Sequence, residues 1–260
     1  MMENENPENL LVTDFDFTMI ADFFKRLNRQ GPGGDEETRR ALAMLPSLPE
    51  HPEVADIGCG SGAQTAVLAT ALPQAHITAI DLLPEMIEGV EARLKRMNLT
   101  NVVSLQASMF DLPLADGQLD LLWCEGAIFI IGFEEGLRQW HRFLRPGGCI
   151  GLTECCWLGE ERPEDCSWLT ENLPEIDTIE RKRQQMEAAG YEVLGHFVLP
   201  EQCWLDHYYD PMPPQMEAFV ADHGGSLAAR EFVQRLQGEI DHYRRNKAYY
   251  GYVFFVGRKQ

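Results

Sequence analysis

A chain of 260 residues can bury one sizeable core, and its 45% hydrophobic and 24% charged residues are the proportions of an ordinary globular protein of one domain, or two small ones. No apolar run approaches the roughly 18 residues of a membrane span, and the start, MMENENPENLLVTDFDF, has neither a basic n-region nor an apolar h-region, so a cytoplasmic, non-secreted protein is expected. A formal net charge of -19 repels a phosphate backbone and argues against a nucleic-acid partner; the densest basic clusters, at 181–183 and 242–247, sit among acids on predicted helices and read as solvated faces.

Residues 1–47 hold an amphipathic segment, FTMIADFFKRLNRQ, closed by GPGG, and are read as an N-terminal helical lid. From residue 48 to 260 short apolar runs alternate with amphipathic helical stretches, the pattern of a parallel sheet covered on both faces. EVADIG is the first strand, and AQTAVLATAL a helix that stops at Pro73. HITAID is the second strand, and LPEMIEGVEARLKRMNL the second helix, with Pro84 in its first turn. NVVSLQAS and the near-continuously apolar GQLDLLWCEGA are strands three and four, followed by GFEEGLRQWHRFL as a helix. RPGG is read as a tight turn into CIGLTECCW, the fifth strand. An acidic loop, a helix ending near Gly190 and a sixth strand follow, and YYGYVFFVGRK makes a last strand. Between these, an accessory helical insertion at about 205–247 is predicted to lie over the strand ends. The expected fold is α/β: a Rossmann-like, doubly wound, mostly parallel seven-stranded sheet with helical lid and accessory segments.

The stretch VADIGCGSGAQT carries the chemistry. As Gly58-x-Gly60-x-x-Ala63 it satisfies the relaxed dinucleotide fingerprint; as Asp56-x-Gly58-x-Gly60-x-Gly62 it fits S-adenosylmethionine. Charge separates the two. A dinucleotide brings an anionic pyrophosphate, whereas S-adenosylmethionine is a net cation, and Asp56 immediately before the glycines opposes the first and favours the second. Asp81, at the end of the second strand, can accept both hydroxyls of a ribose and serves either ligand.

In this order, DIGCGSG, Ile80-Asp81, ASMFDLP, LDLLWCEGA and FLRPGG resemble the successive motifs of the class I S-adenosylmethionine-dependent methyltransferases, over about residues 50–157. The nearest likeness is to the small-molecule enzymes similar to those of quinone biosynthesis and to a bacterial subgroup sharing RQGPG and YYGYVFFVG. The resemblance implies that Gly58, Gly60 and Gly62 pass under the methionine part, that Asp56 lies near its ammonium, and that Asp81 binds the ribose with Leu82 packed on the adenine. Ser108 and Met109 would flank the adenine, Ser108 standing where the family often has Asp. Glu125 would face the methionine moiety or the acceptor. If the segment FDFTMIADFFKRLNRQGPG closes over the ligand as a lid, Arg29 and Gln30 are the candidate contacts for the cofactor carboxylate.

The implied activity is methyl transfer to a small-molecule acceptor through an O, S, N or C nucleophile. The alternatives are an NAD-dependent oxidoreductase and a protein that binds S-adenosylmethionine without transfer. Candidate bases are Glu125, Glu154, His207 and the Tyr208-Tyr209 pair, none at a diagnostic spacing; His141 lies at the far end of its helix and reads as packing. Seven cysteines without a CxxC pair fit reduced thiols and no metal site, although Cys155-Cys156 with Cys166 or Cys203 could take a soft metalloid such as arsenite. A homodimer is compatible with all of this.

Overall fold

The computed structural model describes residues 17–260, so residues 1–16 of the lid segment lie outside the described residues. Two short helices, α1 (Phe17–Phe24) and α2 (Asp35–Leu42), precede the sheet. Phe23 of α1 is fully buried, edge-on to Phe219 and Phe232 at 5.6 and 5.5 Å, which anchors the segment to the C-terminal helices.

The alternating core runs β1 (Glu53–Ile57), α3 (Ala63–Ala71), β2 (His76–Asp81), α4 (Pro84–Met97), β3 (Val102–Gln106), β4 (Leu119–Cys124), α5 (Phe133–Trp140) and β5 (Leu144–Trp157). Then come α6 (Ser167–Asn172), β6 (Asp177–Thr178), α7 (Ile179–Ala188), β7 (Tyr191–Val198), α8 (Glu201–Trp204), α9 (Met212–Asp222), α10 (Leu227–Asn246) and β8 (Tyr250–Lys259), with a π-turn over Leu205–Tyr209 after α8. The sheet order is β3-β2-β1-β4-β5-β8-β7, and β8 is the strand that runs antiparallel to both of its neighbours. The seven expected strands are present.

Two details differ from the sequence reading. RPGG is not a turn before the fifth strand but lies within it: Leu144 pairs with Leu119, the register then shifts, and Cys149 pairs with Leu121. Residues 145–148 are therefore a bulge, with Gly147 at φ 77° supplying the left-handed residue that such a kink needs. An eighth strand, the two-residue β6, pairs with Cys156 and Trp157 beyond the end of β4; two residues carry no periodicity that a sequence pattern could register.

The strands bury both faces. On β4, Leu121 and Trp123 point into a cluster shared with α3 and α8–α10, while Leu122 and Cys124 point into one shared with α5 and α7. The longest helix, α10, buries Phe232, Leu236, Ile240 and Tyr243 on one stripe, so the accessory helices are a packed layer. Among the described residues no helix is long and apolar enough to cross a membrane.

Candidate functional site

Strand order reverses between β1 and β4, so the loops leaving their carboxyl ends diverge and open a crevice. The loop after β1 carries Gly58, Gly60 and Gly62, all at positive φ (67°, 52° and 78°). Space as well as backbone demands the first two. A Cβ on Gly58 would stand 2.4 Å from the Cβ of Ala127 in the opposite loop, and one on Gly60 would stand 2.5 Å from Oε1 of Gln30. Gly58→Ala is therefore expected to lower stability by about 2–4 kcal/mol, the sum of left-handed backbone strain and a core overlap. Urea unfolding measures it, and an unchanged midpoint would contradict the tight switch point.

A cavity of about 480 Å³ begins at this loop. Asp81 lines it, with Oδ2 accepting from the Gly60 N–H at 2.9 Å and Oδ1 from the Leu83 N–H at 3.0 Å; burial raises its pKa. One carboxylate thus joins the glycine loop to the start of α4. Leu82, Ser108 and Met109 line the same cavity. Ser108 Oγ accepts from the Phe110 N–H at 3.2 Å, and the Met109 carbonyl accepts from the Trp140 indole at 3.2 Å, which fixes this loop against α5.

Beside the glycines lies a buried polar network that ties the N-terminal segment to β4. Glu125 accepts from Thr38 Oγ1 at 2.7 Å and Trp123 Nε1 at 2.8 Å through Oε1, and from Arg29 Nη1 at 3.1 Å through Oε2. Arg29 is 7% exposed and its Nη2 has no partner among the described residues. An unpaired guanidinium nitrogen in a cavity wall is a place for an anionic ligand group. Gln30 is different: its amide donates to the Phe24 and Leu27 carbonyls and accepts from the Ser61 N–H, so it braces the loop and is not left for a ligand.

Asp56 sits deeper than the sequence reading put it. Its side chain is wholly buried beneath the loop, accepting from Thr65 Oγ1 at 2.5 Å and Gln64 Nε2 at 3.3 Å, and Gln64, not Asp56, lines the cavity. Burial, with the Glu125 charge adding to it, pushes Asp56 up to about 7 against the lowering pull of Thr65.

The candidate bases separate. Glu125 lines the cavity, but both of its oxygens are already hydrogen-bonded. Glu154 points to the other face of β5, where it meets the buried Lys182 ammonium at 3.3 Å. His207 is outside the lining, its Nδ1 2.7 Å from the Gly33 carbonyl, because the π-turn directs it back to the N-terminal segment. Tyr208 and Tyr209 do line the cavity, and burial drives both phenol pKa values well up, which keeps them neutral. His141 packs edge-on to Tyr191 at 5.2 Å, away from the site. The metalloid set does not assemble: Cys155 and Cys156 face opposite sides of β5, and only Cys155 shares a core with Cys203.

The distal part of the cavity escaped the sequence reading. Trp168 and Asn172 from α6, Trp204 from α8, Glu239 from α10, and Tyr250 and Tyr252 from β8 converge there. They lie on four elements, and the one local cue was the aromatic density of CWLDHYY and YYGY.

Residues 54–148 match the family model described as a methyltransferase domain. The chain is 30% identical over 221 residues to the trans-aconitate 2-methyltransferase of Variovorax paradoxus, a match covering 79% of this chain and 80% of that enzyme. The chain belongs to the S-adenosylmethionine-dependent methyltransferases. It is also 39% identical over 114 residues to the malonyl-[acyl-carrier protein] O-methyltransferase of Dechloromonas aromatica, covering 44% of this chain and 40% of that enzyme. Several curated relatives it matches, this enzyme among them, are spanned over less than half their length. The fold resembles a solved S-adenosylmethionine-dependent methyltransferase from Geobacter sulfurreducens in complex with S-adenosyl-L-homocysteine, with TM-score 0.79, 19% identity and coverage of 94% and 98% of the two chains. S-adenosylmethionine is the family's cofactor, and the dinucleotide alternative falls away. At the glycine-loop end two carboxyl side chains, Asp81 and Glu125, line the cavity with one cation, Arg29, which agrees with a cationic ligand and not with a pyrophosphate.

Proposed function

We propose that this protein transfers the methyl group of S-adenosylmethionine to a small-molecule acceptor. The observation that carries the reading is the continuity of one cavity, from the glycine loop and Asp81 past Glu125 and Gly126 into a chamber walled by aromatic side chains. One end fits the cofactor. The other is open to an acceptor.

The residues fit the cofactor on structural grounds. The loop backbone at Gly58 and Gly60 lines the cavity and Asp81 offers a fixed carboxylate for the ribose, whereas Gly62 lies behind the lining, its bare Cα making room for Val90 of α4. Leu82, Ser108 and Met109 would enclose the adenine. Arg29, with its unpaired Nη2, would take the carboxylate of the methionine part, and Glu125 beside it would offset the ammonium. Asp56 acts through Gln64 and Thr65, holding the first turn of α3 under the loop. The cofactor supplies a methyl group on a positively charged sulfur, already activated for in-line displacement. What the chain adds is alignment and exclusion of water, for which the lid segment and α6 are placed: Phe17, Ile20 and Phe24 from α1, with Leu169 and Leu173, lie over the cavity. Unpaired cysteines throughout the described chain support a reducing, cytoplasmic setting.

Calorimetry with S-adenosylhomocysteine and NAD, followed by an assay of S-adenosylhomocysteine production from amines, phenols, thiols and small acids, tests the proposal. Micromolar binding of S-adenosylhomocysteine, no binding of NAD and turnover on at least one acceptor are expected. Tight NAD binding refutes the reading, and binding with uniform inactivity leaves a non-catalytic role.

A further inference from the structure

The distal end of the cavity is unusual in what it offers a ligand. Its walls are the rings of Trp168, Trp204, Tyr208, Tyr209, Tyr250 and Tyr252. They are locked together: Trp204 stacks on Tyr243 at 4.4 Å and 12° and stands edge-on to Tyr252 at 4.8 Å. One charged side chain enters this aromatic end among the described residues. Glu239 reaches in from α10, its Oε1 accepting from the Tyr209 hydroxyl at 2.9 Å. The remaining charged lining residues, Arg29, Asp81 and Glu125, belong to the glycine-loop end, where Arg29 is engaged by Glu125. Arg235, one turn before Glu239 on α10, is outside the lining. So is His242, behind Trp168 and Tyr250 and kept neutral by burial.

We infer that the chamber takes an organic amine, bound as its ammonium, on an apolar or aromatic body. Electron-rich ring faces attract a cation and the part-buried Glu239 carboxyl gives it a charge-assisted hydrogen bond, whereas a carboxylate or phosphate ligand would find no cation lining this end and would meet Glu239. Burial raises the pKa of Glu239 against the pull of the Tyr209 hydroxyl and Arg235, so its charged form gains from an ammonium beside it. The inference rests on the cofactor reading above, and deepens it by naming the acceptor class; for the nitrogen itself to be methylated, the ammonium first gives its proton to the Glu239 carboxylate, which frees the lone pair that attacks the methyl carbon.

The test uses the full chain saturated with S-adenosylhomocysteine and three probes on one ring system: tryptamine, tryptophol and indole-3-propionate. Calorimetry should show tryptamine binding about tenfold tighter than the alcohol, with no detectable binding of the acid. Glu239→Gln should erase the preference for tryptamine over tryptophol while S-adenosylhomocysteine affinity and the melting temperature stay close to wild type. Equal binding of amine and alcohol to the unaltered chain, preference for the acid, or no binding of the amine overturns the inference while leaving the cofactor reading intact. Failure of S-adenosylhomocysteine itself to bind overturns both.

Discussion

Replacing Asp81 by Asn is expected to weaken S-adenosylhomocysteine binding about 10- to 100-fold, the loss of charge-assisted hydrogen bonds worth roughly 1.5–3 kcal/mol. Two effects point the same way. In the unaltered chain each carboxylate oxygen holds one backbone N–H, from Gly60 and from Leu83, and keeps a lone pair for a ribose hydroxyl. An amide presents one oxygen and one NH2, so one of those backbone donors faces another donor and the loop loses a tether. The ribose also loses an anionic acceptor. Adenosine alone should lose affinity by the same factor as S-adenosylhomocysteine, because the contact is confined to the nucleoside. Calorimetry with both ligands, beside a thermal melt showing the chain still folded, decides it. Unchanged affinity would remove Asp81 from the ribose site.

Asp81 was legible because its position follows from periodicity: an acid ending the second strand of a βαβ unit faces the ligand crevice whatever the side chains elsewhere do. The glycines were legible for the same reason, since a loop at a strand-order reversal must be bare. Asp56 was legible in kind and not in depth. Its charge pointed to a cationic ligand, but that Thr65 and Gln64 would absorb its oxygens depends on how α3 starts, which no spacing encodes. His207 and Glu154 failed as base candidates on orientation: a π-turn rotates the first out of the cavity, and strand alternation sends the second to the opposite face. The aromatic chamber was illegible because Trp168, Trp204, Glu239 and Tyr252 meet only when the accessory helices pack on the sheet. Side chains on four elements leave no mutual signature in a single sequence.

On the face away from the site, Lys182→Met should destabilise the protein by about 1–2 kcal/mol at pH 8, because the lone Glu154 carboxyl, already near 7 with Lys182 beside it, can shed its charge by protonation at about 1.4 kcal/mol per pH unit above that value. Lys182 is fully buried on α7, with its ammonium 3.3 Å from Glu154 Oε1 and 4.4 Å from the centroid of the Phe133 ring. Without it, a 3%-exposed carboxyl has no counter-charge. The pH dependence gives the effect its signature. Burial lifts Glu154 from 4.5 to about 7 even against the pull of Lys182. A carboxyl whose folded pKa exceeds its unfolded value contributes most to stability below the unfolded value, and that contribution is lost as pH rises through the folded one. Glu154 therefore costs stability progressively from about pH 4.5 to 7 and in full above that in the unaltered chain, and Lys182→Met removes the main interaction limiting that cost. The variant's deficit should be small at pH 5, where the lone carboxyl can be protonated, and full at pH 8. Asp56 titrates in the same range in both proteins, so the difference between them isolates Glu154. Adding Glu154→Gln to the variant should flatten the pH dependence and recover most of the loss, since no buried charge is then left unpaired. Urea unfolding of the three proteins at both pH values provides the measurement, and a Lys182→Met deficit independent of pH would show that the pair acts through packing and not through charge.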